Sequence, residues 1–220
     1  MARASQPCLR RNRLPGAHAV LSLSGARARH CHQAWVRLGG EPFDISIYDK
    51  DTVSEANLAR QVFCEADVGS NKAAVLAQRA AAFYGIEVTA YDQRWDGGHS
   101  SLIVGCVDNI PTRKAMKKRS KDAYWLDLGN SLDSGQVVLG GRGLPTVFDV
   151  LPQLGTMRDR KSLPSCSMAE ALARQDLFIN STLATLGGHL LWRLMRQGGL
   201  NHHGYFVNLN SGRVSPIEIK

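Results

Sequence analysis

The sequence has no uninterrupted apolar run of the roughly 18 residues that a membrane-spanning helix requires. Its N-terminal end also lacks the continuous apolar block of a secretory signal. Both absences argue against a membrane or secreted protein, so we expect a soluble protein of the cytoplasm. With 220 residues, 44% of them hydrophobic, the chain can bury one substantial core but is short for two.

Cysteine pairs with the spacing of metal ligands are absent. The chain has five cysteines, an odd number, and no two of them form a C-x-x-C pair. A disulfide framework is therefore not expected, and a zinc site made of paired cysteines cannot be built.

Acidic residues are missing from the first 40 positions, which hold seven arginines and no lysine. Residues 41–220 carry 20 basic and 19 acidic groups, so most of the net charge of +8 lies at the N-terminal end. Because a neutral body can neutralise few phosphates, nucleic-acid binding is an unfavoured interpretation. The composition of this end resembles a mitochondrial transit peptide, but a divergent or misassigned gene start is the preferred interpretation.

After about residue 43, strand and helix patterns alternate along the chain. This alternation predicts an α/β fold with a Rossmann-like, mostly parallel sheet flanked by helices. Strands are predicted at about residues 43–48, 86–91, 102–107, 124–128 and 136–139. Helices are predicted at about residues 71–84, 110–120 and 168–197, and a terminal hairpin at about 205–209 and 214–219.

Two acids, Asp49 and Asp108, each stand at the end of a predicted strand. Ligands of open parallel sheets bind at the carboxyl ends of the strands, so both acids are candidate ligand-binding residues. For either acid alone, a turn or helix-capping role explains the position at least as well.

The segment around Asp49 carries a longer pattern. Residues 48–73 read YDKDTVSEANLARQVFCEADVGSNKA, and residues 105–109 read GCVDN, followed by Arg113. The first segment resembles the nucleotide motif of the ThiF, MoeB and ubiquitin-activating enzyme superfamily, and the second resembles its C-x-D-N element. Segments from residue 124 onward, such as YWLDLGNSLDSGQVVLG, resemble the ThiF family proteins of the bacterial PRTRC cassette. The resemblance covers about residues 32–220 and leaves 1–31 as an atypical Arg-rich segment.

The resemblance implies ATP- and Mg²⁺-dependent adenylation of the C-terminal carboxylate of a small ubiquitin-like protein ending in glycine. Charge that builds on the phosphate oxygens during this reaction must be met by fixed cations and a metal. The implied phosphate contacts are Arg60 and Lys72, the implied ribose contact is Asp49, and the implied Mg²⁺ ligand is Asp108. Asp51 and Asn57 would order the same loop. Without the surrounding motif, Arg60 and Lys72 would be ordinary surface cations.

Cys166 is a second candidate site. The residues after it, Ser167 and Glu170, have the spacing of a capping box, and a helix N-terminus favours the thiolate form of cysteine. The segment also resembles the stretch that carries the thioester cysteine of ubiquitin-activating enzymes. A small buried residue at a helix start is an equally supported reading. Cys106, inside an apolar strand pattern, is expected in the core.

The superfamily cradles ATP phosphates with a loop of the form G-x-G-G-x-G before the Asp49 strand, because only glycine lets backbone amides approach closely. The first thirty or so residues contain only the isolated Gly16 and Gly25. A catalytically degenerate ThiF fold that binds its partner without turnover is therefore the main alternative. A nicotinamide-dinucleotide enzyme is a weaker one.

The resemblance also implies partners, by analogy with the cassette and the superfamily. It implies a conjugating-type protein as a neighbour and a homodimer as the assembly. Adjacent His202 and His203 are expected to be exposed rather than metal ligands. The four tryptophans are expected in core and interface packing rather than in base stacking.

Overall fold

The computed structural model describes residues 44–58, 61–156 and 175–219, which form an α/β structure. The strands in these residues are β1 Ile45–Tyr48, β2 Val88–Tyr91, β3 Leu102–Gly105, β4 Tyr124–Asn130, β5 Ser134–Gly140, β6 His202–Asn208 and β7 Arg213–Glu218. The α-helices are α1 Glu55–Leu58, α2 Lys72–Tyr84, α3 Ile110–Arg119, α4 Val147–Val150 and α5 Ile179–Gln197. Short 3₁₀ turns span Glu65–Asp67 and Pro152–Gly155. None of these helices combines the length and apolar character needed to cross a membrane.

The strands of the described residues form two sheets. Strands β1 and β2 pair in parallel, and β3 pairs in parallel with β4 at one edge of a five-stranded sheet. From β4 to β7 every pairing is antiparallel. The predicted α/β class with parallel strands flanked by helices is confirmed, and the larger sheet is mixed. Its antiparallel part follows from the short turns between β4 and β5 and between β6 and β7, because such turns can join only antiparallel neighbours.

Helix α2 begins and ends where its sequence predicts. The Asn71 side chain caps it by accepting a hydrogen bond of 3.0 Å from the Ala74 amide. Gly85 ends it in the left-handed conformation at φ 61°, which costs glycine no steric strain. The buried face carries Ala73, Val75, Leu76 and Ala80.

The core divides into two clusters that use opposite faces of the larger sheet. Adjacent residues of a strand point to opposite faces, so Val104 and Leu126 join the α5 side while Ile103 and Trp125 join the α3 side. Trp95 and Trp125 are 7% and 1% exposed, which confirms the expected packing role for these two tryptophans.

The helical pattern predicted over residues 168–197 is confirmed from Ile179 to Gln197, where α5 lies, but the described residues 175–178 just before it are not helical. Asp176 explains the late start: its side-chain Oδ1 accepts a hydrogen bond of 2.7 Å from the Phe178 amide. This local turn gives the backbone an alternative to helix just before Ile179. Gly187 lets α5 approach the sheet closely, since a Cβ there would lie 3.2 Å from Leu126 Cδ2.

The terminal hairpin is confirmed, but the expected exposure of its histidines is wrong for His203. His203 is 1% exposed, and its Nδ1 lies 3.0 Å from the Leu139 carbonyl oxygen. Burial lowers the pKa of His203. The half-buried His202 places Nε2 2.6 Å from the Tyr205 hydroxyl. The pairing of β6 with β7 has a register shift between His202 and Gly204, and His203 is the residue without a partner in that register.

Candidate functional site

Asp49 directly follows β1 and is half-buried. Its carboxylate Oδ1 accepts a hydrogen bond of 2.9 Å from the Asp51 amide, and its own amide donates to the Tyr91 carbonyl oxygen of β2 at 3.2 Å. Burial raises the pKa of Asp49, opposed by the Asp51 hydrogen bond and the Lys72 charge and reinforced by the charges of Asp51 and Asp108. The side chains of Lys72 and Asp108 therefore lie close enough to Asp49 to influence its ionisation.

Lys72 is the first residue of α2 and is partly exposed. Its amide donates a hydrogen bond of 3.0 Å to the Asp51 carbonyl oxygen, so the loop after β1 and the start of α2 are fastened together. The N-terminal end of a helix also favours anions through its free amides and dipole. A cationic side chain and a helix start thus face the same acidic loop.

Asn71 connects three segments at this position, and the sequence reasoning missed it. Its Nδ2 donates hydrogen bonds to the Asp49 carbonyl oxygen at 2.8 Å and to Asp92 Oδ1 at 2.9 Å, while its Oδ1 caps α2. Two signals could have revealed the connection. An asparagine before a helical pattern is a typical cap, and Asp92 follows a strand just as Asp49 does.

Asp108 lies in the segment that leaves β3 and enters α3, and it is exposed. The next residue, Asn109, caps α3 by accepting a hydrogen bond of 2.9 Å from the Thr112 amide. Within the described residues, no three His, Cys, Asp or Glu side chains converge to hold a metal ion by themselves. The exposed carboxylate of Asp108 fits Mg²⁺, because Mg²⁺ is commonly held by one or two carboxylates together with waters and substrate phosphates.

The remaining predicted residues fall into two groups. Asn57 is buried, and its Oδ1 accepts hydrogen bonds from the Ser54 amide at 3.0 Å and the Ser54 hydroxyl at 3.1 Å, so it orders its own turn. Asp51 is exposed and orders the loop mainly through its backbone. Arg60 and Cys166 lie outside the described residues, as does the predicted glycine-loop region, so their roles stay predictions.

Two other cysteines are described. Cys106 follows β3, is half-buried and packs against the core, which agrees in part with the expectation of a core residue. Cys64 is exposed and stands before the 3₁₀ turn at Glu65–Asp67.

These features define a class: an α/β protein whose acidic loops follow parallel strands and meet the N-terminal end of a helix. A family model described as the ThiF family matches residues 33–211. The chain belongs to the ThiF family.

The fold is similar to solved structures at low sequence identity. E. coli MccB with AMPCPP and selenomethionine MccA aligns with a TM-score of 0.61 at 17% identity, covering 93% of this chain and 64% of that chain. E. coli MccB with ATP aligns with a TM-score of 0.61 at 17% identity, covering 93% of this chain and 63% of that chain. Selenomethionine PaaA aligns with a TM-score of 0.63 at 17% identity, covering 94% of this chain and 73% of that chain. The chain thus spans just under two thirds of the MccB proteins, and no curated protein matches its sequence.

Proposed function

We propose that this protein binds ATP with Mg²⁺ and adenylates the C-terminal carboxylate of a small ubiquitin-like protein. The observation that carries the proposal is that the charges of Lys72 and Asp108 both act on the Asp49 carboxylate, which directly follows β1. Membership of the ThiF family and a fold like that of MccB, which has been crystallised with ATP, support it.

Each of these residues has its own role in binding Mg²⁺-ATP. The Asp49 carboxylate accepts hydrogen bonds from the ribose hydroxyls, and Lys72 supplies a positive charge beside the phosphates. Asp108 would hold Mg²⁺, which neutralises phosphate charge when bound. Arg60 supplies a second cation to the phosphates in this proposal, but it lies outside the described residues.

In the reaction, an oxygen of the partner's C-terminal carboxylate attacks the α-phosphorus of ATP. The bond between the α-phosphorus and the bridging oxygen breaks, and pyrophosphate leaves with the bonding electrons. The product is an acyl adenylate on the partner. A later attack by the Cys166 thiolate on the acyl carbon, with release of AMP, would give a thioester.

The partners and organisation belong to the same proposal. MccB is solved with the small peptide MccA, which is compatible with a small polypeptide substrate here. We assign the chain to the PRTRC-type ThiF proteins, with residues 32–220 as the adenylation domain, a homodimer as the assembly and a conjugating-type protein as a second partner.

An ATP–pyrophosphate exchange assay tests the proposal. The chain is incubated with ATP, Mg²⁺, labelled pyrophosphate and the ubiquitin-like protein of the PRTRC cassette. The same protein with an amidated C-terminus is the matched control, since an amide cannot attack the phosphorus. Exchange that requires the free carboxylate and is lost in Asp108→Asn supports adenylation. No exchange under these conditions contradicts it.

One sequence feature favours a second candidate, a ThiF-fold binding protein without turnover: the glycine-rich loop is absent before the Asp49 strand. Such a protein would bind the ubiquitin-like partner but not ATP. Calorimetry with ATP and Mg²⁺ separates the two candidates, because micromolar ATP binding that is strengthened by Mg²⁺ is expected only of the adenylating protein.

A further inference from the structure

Arg113 and Asp127 form a buried ion pair. Arg113 Nε donates to Asp127 Oδ1 at 3.0 Å, and the two side chains are 8% and 1% exposed. Arg113 Nη2 also donates to the Leu128 carbonyl oxygen at 3.3 Å. The guanidinium thus holds both the side chain of one β4 residue and the backbone of the next.

The pair encloses the segment that carries Asp108. Asp127 lies directly opposite Gly105, the last residue of β3, in the parallel register of β3 and β4. Arg113 lies in the first turn of α3, four residues after Asn109, which caps that helix. Residues 106–109 therefore leave the sheet beside one member of the pair and enter the helix just before the other.

Gly129 lies against the Arg113 guanidinium, and Gly105 lies against Met116 of α3. A Cβ at Gly129 would lie 2.6 Å from Arg113 Nη2 and 2.3 Å from Gln136 Nε2. A Cβ at Gly105 would lie 2.6 Å from Met116 Sδ on α3. All three distances are shorter than real Cβ contacts, so a Cβ at Gly129 would displace the Arg113 guanidinium from its position in the pair, and one at Gly105 would displace the flexible end of Met116.

Joining α3 to the sheet through a buried ion pair carries a large desolvation cost. Burying two charges costs several kcal/mol per ion, and well-packed apolar residues would often do as well. In addition, Asp127 Oδ2 is buried without a hydrogen-bond partner in the described residues. Stability alone therefore does not explain the pair. A requirement to fix the orientation of α3 relative to β4 does explain it.

We infer that the Arg113–Asp127 pair is a positioning device that holds Asp108 and the start of α3 in the geometry required to bind Mg²⁺-ATP. Arg113 and Asp127 are positioning residues, because they act through the Asp108 segment. The inference rests on the proposed function, which assigns Asp108 to the metal.

The test is a double variant, Arg113→Met with Asp127→Leu, in the full chain. Removing both charges together leaves no unpaired buried ion, so the fold should remain as stable as the wild type in thermal unfolding. ATP binding is measured by calorimetry, once with Mg²⁺ and once with EDTA. Removing residues that orient a metal ligand typically weakens metal binding roughly 10- to 100-fold, so we expect a loss of that size with Mg²⁺ and almost none with EDTA.

Lys117→Met is the matched control. Lys117 lies on the same helix and forms an exposed pair with Asp149 at 3.8 Å, so its loss should leave ATP binding unchanged. Should the double variant prove unstable, Arg113→Lys is the second variant: it keeps the charge but loses the planar fork, and the same Mg²⁺-specific loss is expected.

The outcomes separate the two proposals. Wild-type affinity in a folded double variant, or in Arg113→Lys, would overturn the positioning role while leaving the proposed function intact. An equal loss with Mg²⁺ and with EDTA would also overturn it, because that pattern indicates general damage to the site. Absence of Mg²⁺-dependent ATP binding in the wild type would contradict the proposed function, and the inference with it.

Discussion

The side-chain amide of Asn71 donates a hydrogen bond of 2.8 Å to the backbone carbonyl oxygen of Asp49, 22 residues earlier in the chain. The same amide reaches Asp92, and the carbonyl end of the side chain caps α2. One side chain therefore sets the distance between the acidic loop after β1 and the helix that begins with Lys72. Substitutions of Asn71 should therefore affect both the stability of the fold and the affinity for Mg²⁺-ATP.

Replacing Asn71 with alanine should remove both the cap of α2 and the amide hydrogen bonds to Asp49 and Asp92. Loss of a helix cap costs about 1 kcal/mol, and loss of the two amide hydrogen bonds adds about 1 kcal/mol more. We expect urea denaturation to report a fall of about 2 kcal/mol in the free energy of unfolding.

Asn71→Ser separates the two roles, because serine caps a helix but cannot reach Asp49 and Asp92 as an amide does. Its stability should recover by about 1 kcal/mol relative to Asn71→Ala. In calorimetry, both variants should bind Mg²⁺-ATP more weakly than the wild type, because both lose the amide contacts with Asp49 and Asp92. Full recovery of affinity in Asn71→Ser would show that only the cap matters.

Lys72→Met should weaken ATP binding with little effect on the fold. A hydrogen bond to a charged group is worth about 1.5–3 kcal/mol, which corresponds to roughly a 10- to 100-fold weaker affinity in calorimetry. Helix α2 should persist, because Asn71 rather than Lys72 caps it.

Lys50→Met is the control for Lys72→Met. Lys50 is an exposed cation in the same loop and lies 3.7 Å from Asp51. If both substitutions weaken binding equally, the effect comes from the general positive charge of the loop, and the specific role of Lys72 is excluded.

The Arg113–Asp127 pair predicts an unusual dependence of stability on pH. Burial raises the pKa of Asp127 from 3.8 to about 6, although Arg113 opposes the shift. Between these values the folded state keeps a proton that the unfolded state has released. The contribution of Asp127 to the free energy of unfolding is therefore largest below pH 4 and falls as pH rises to about 6.

Comparison with Asp127→Asn isolates this contribution, because asparagine does not titrate and the other groups cancel. The wild type should lose about 2 kcal/mol relative to the variant as pH rises from 4 to 7, measured by urea denaturation at each pH. Parallel pH profiles for the two proteins would mean that the folded state does not shift the ionisation of Asp127.

Gly141→Ala should be among the most damaging substitutions outside the site. Gly141 has φ 90°, and a Cβ there would lie 2.3 Å from the Ala123 carbonyl oxygen and 2.8 Å from that of Ser120. Strain and clash together should cost more than about 3 kcal/mol of unfolding free energy.

Gly143→Ala is the matched control, since Gly143 also has a positive φ, 96°, but a Cβ there would meet nothing within 4 Å. It should cost only about 1–2 kcal/mol, the strain term alone. Similar melting temperatures for the two variants would show that the clash at Gly141 is relieved by movement of its neighbours.

The sequence by itself determined the features that depend on nearby residues. The bounds of α2 follow from Asn71 and Gly85, since a cap and a left-handed glycine act within one turn of the helix. The position of Asp49 after β1 follows from the alternation of apolar residues before it. The roles proposed for Asp49, Lys72 and Asp108 came from a long motif, and in the structure the charges of Lys72 and Asp108 act on the Asp49 carboxylate.

Only the tertiary structure decided which distant segments meet. An acid in the apolar pattern of β4 indicates a buried charge, but its partner Arg113 became identifiable only when α3 packed on the sheet. The contact of Asn71 with Asp92 and the burial of His203 depend in the same way on how strands and helices assemble. Periodicity and caps record local preferences, whereas these contacts are set by packing between elements far apart in the chain.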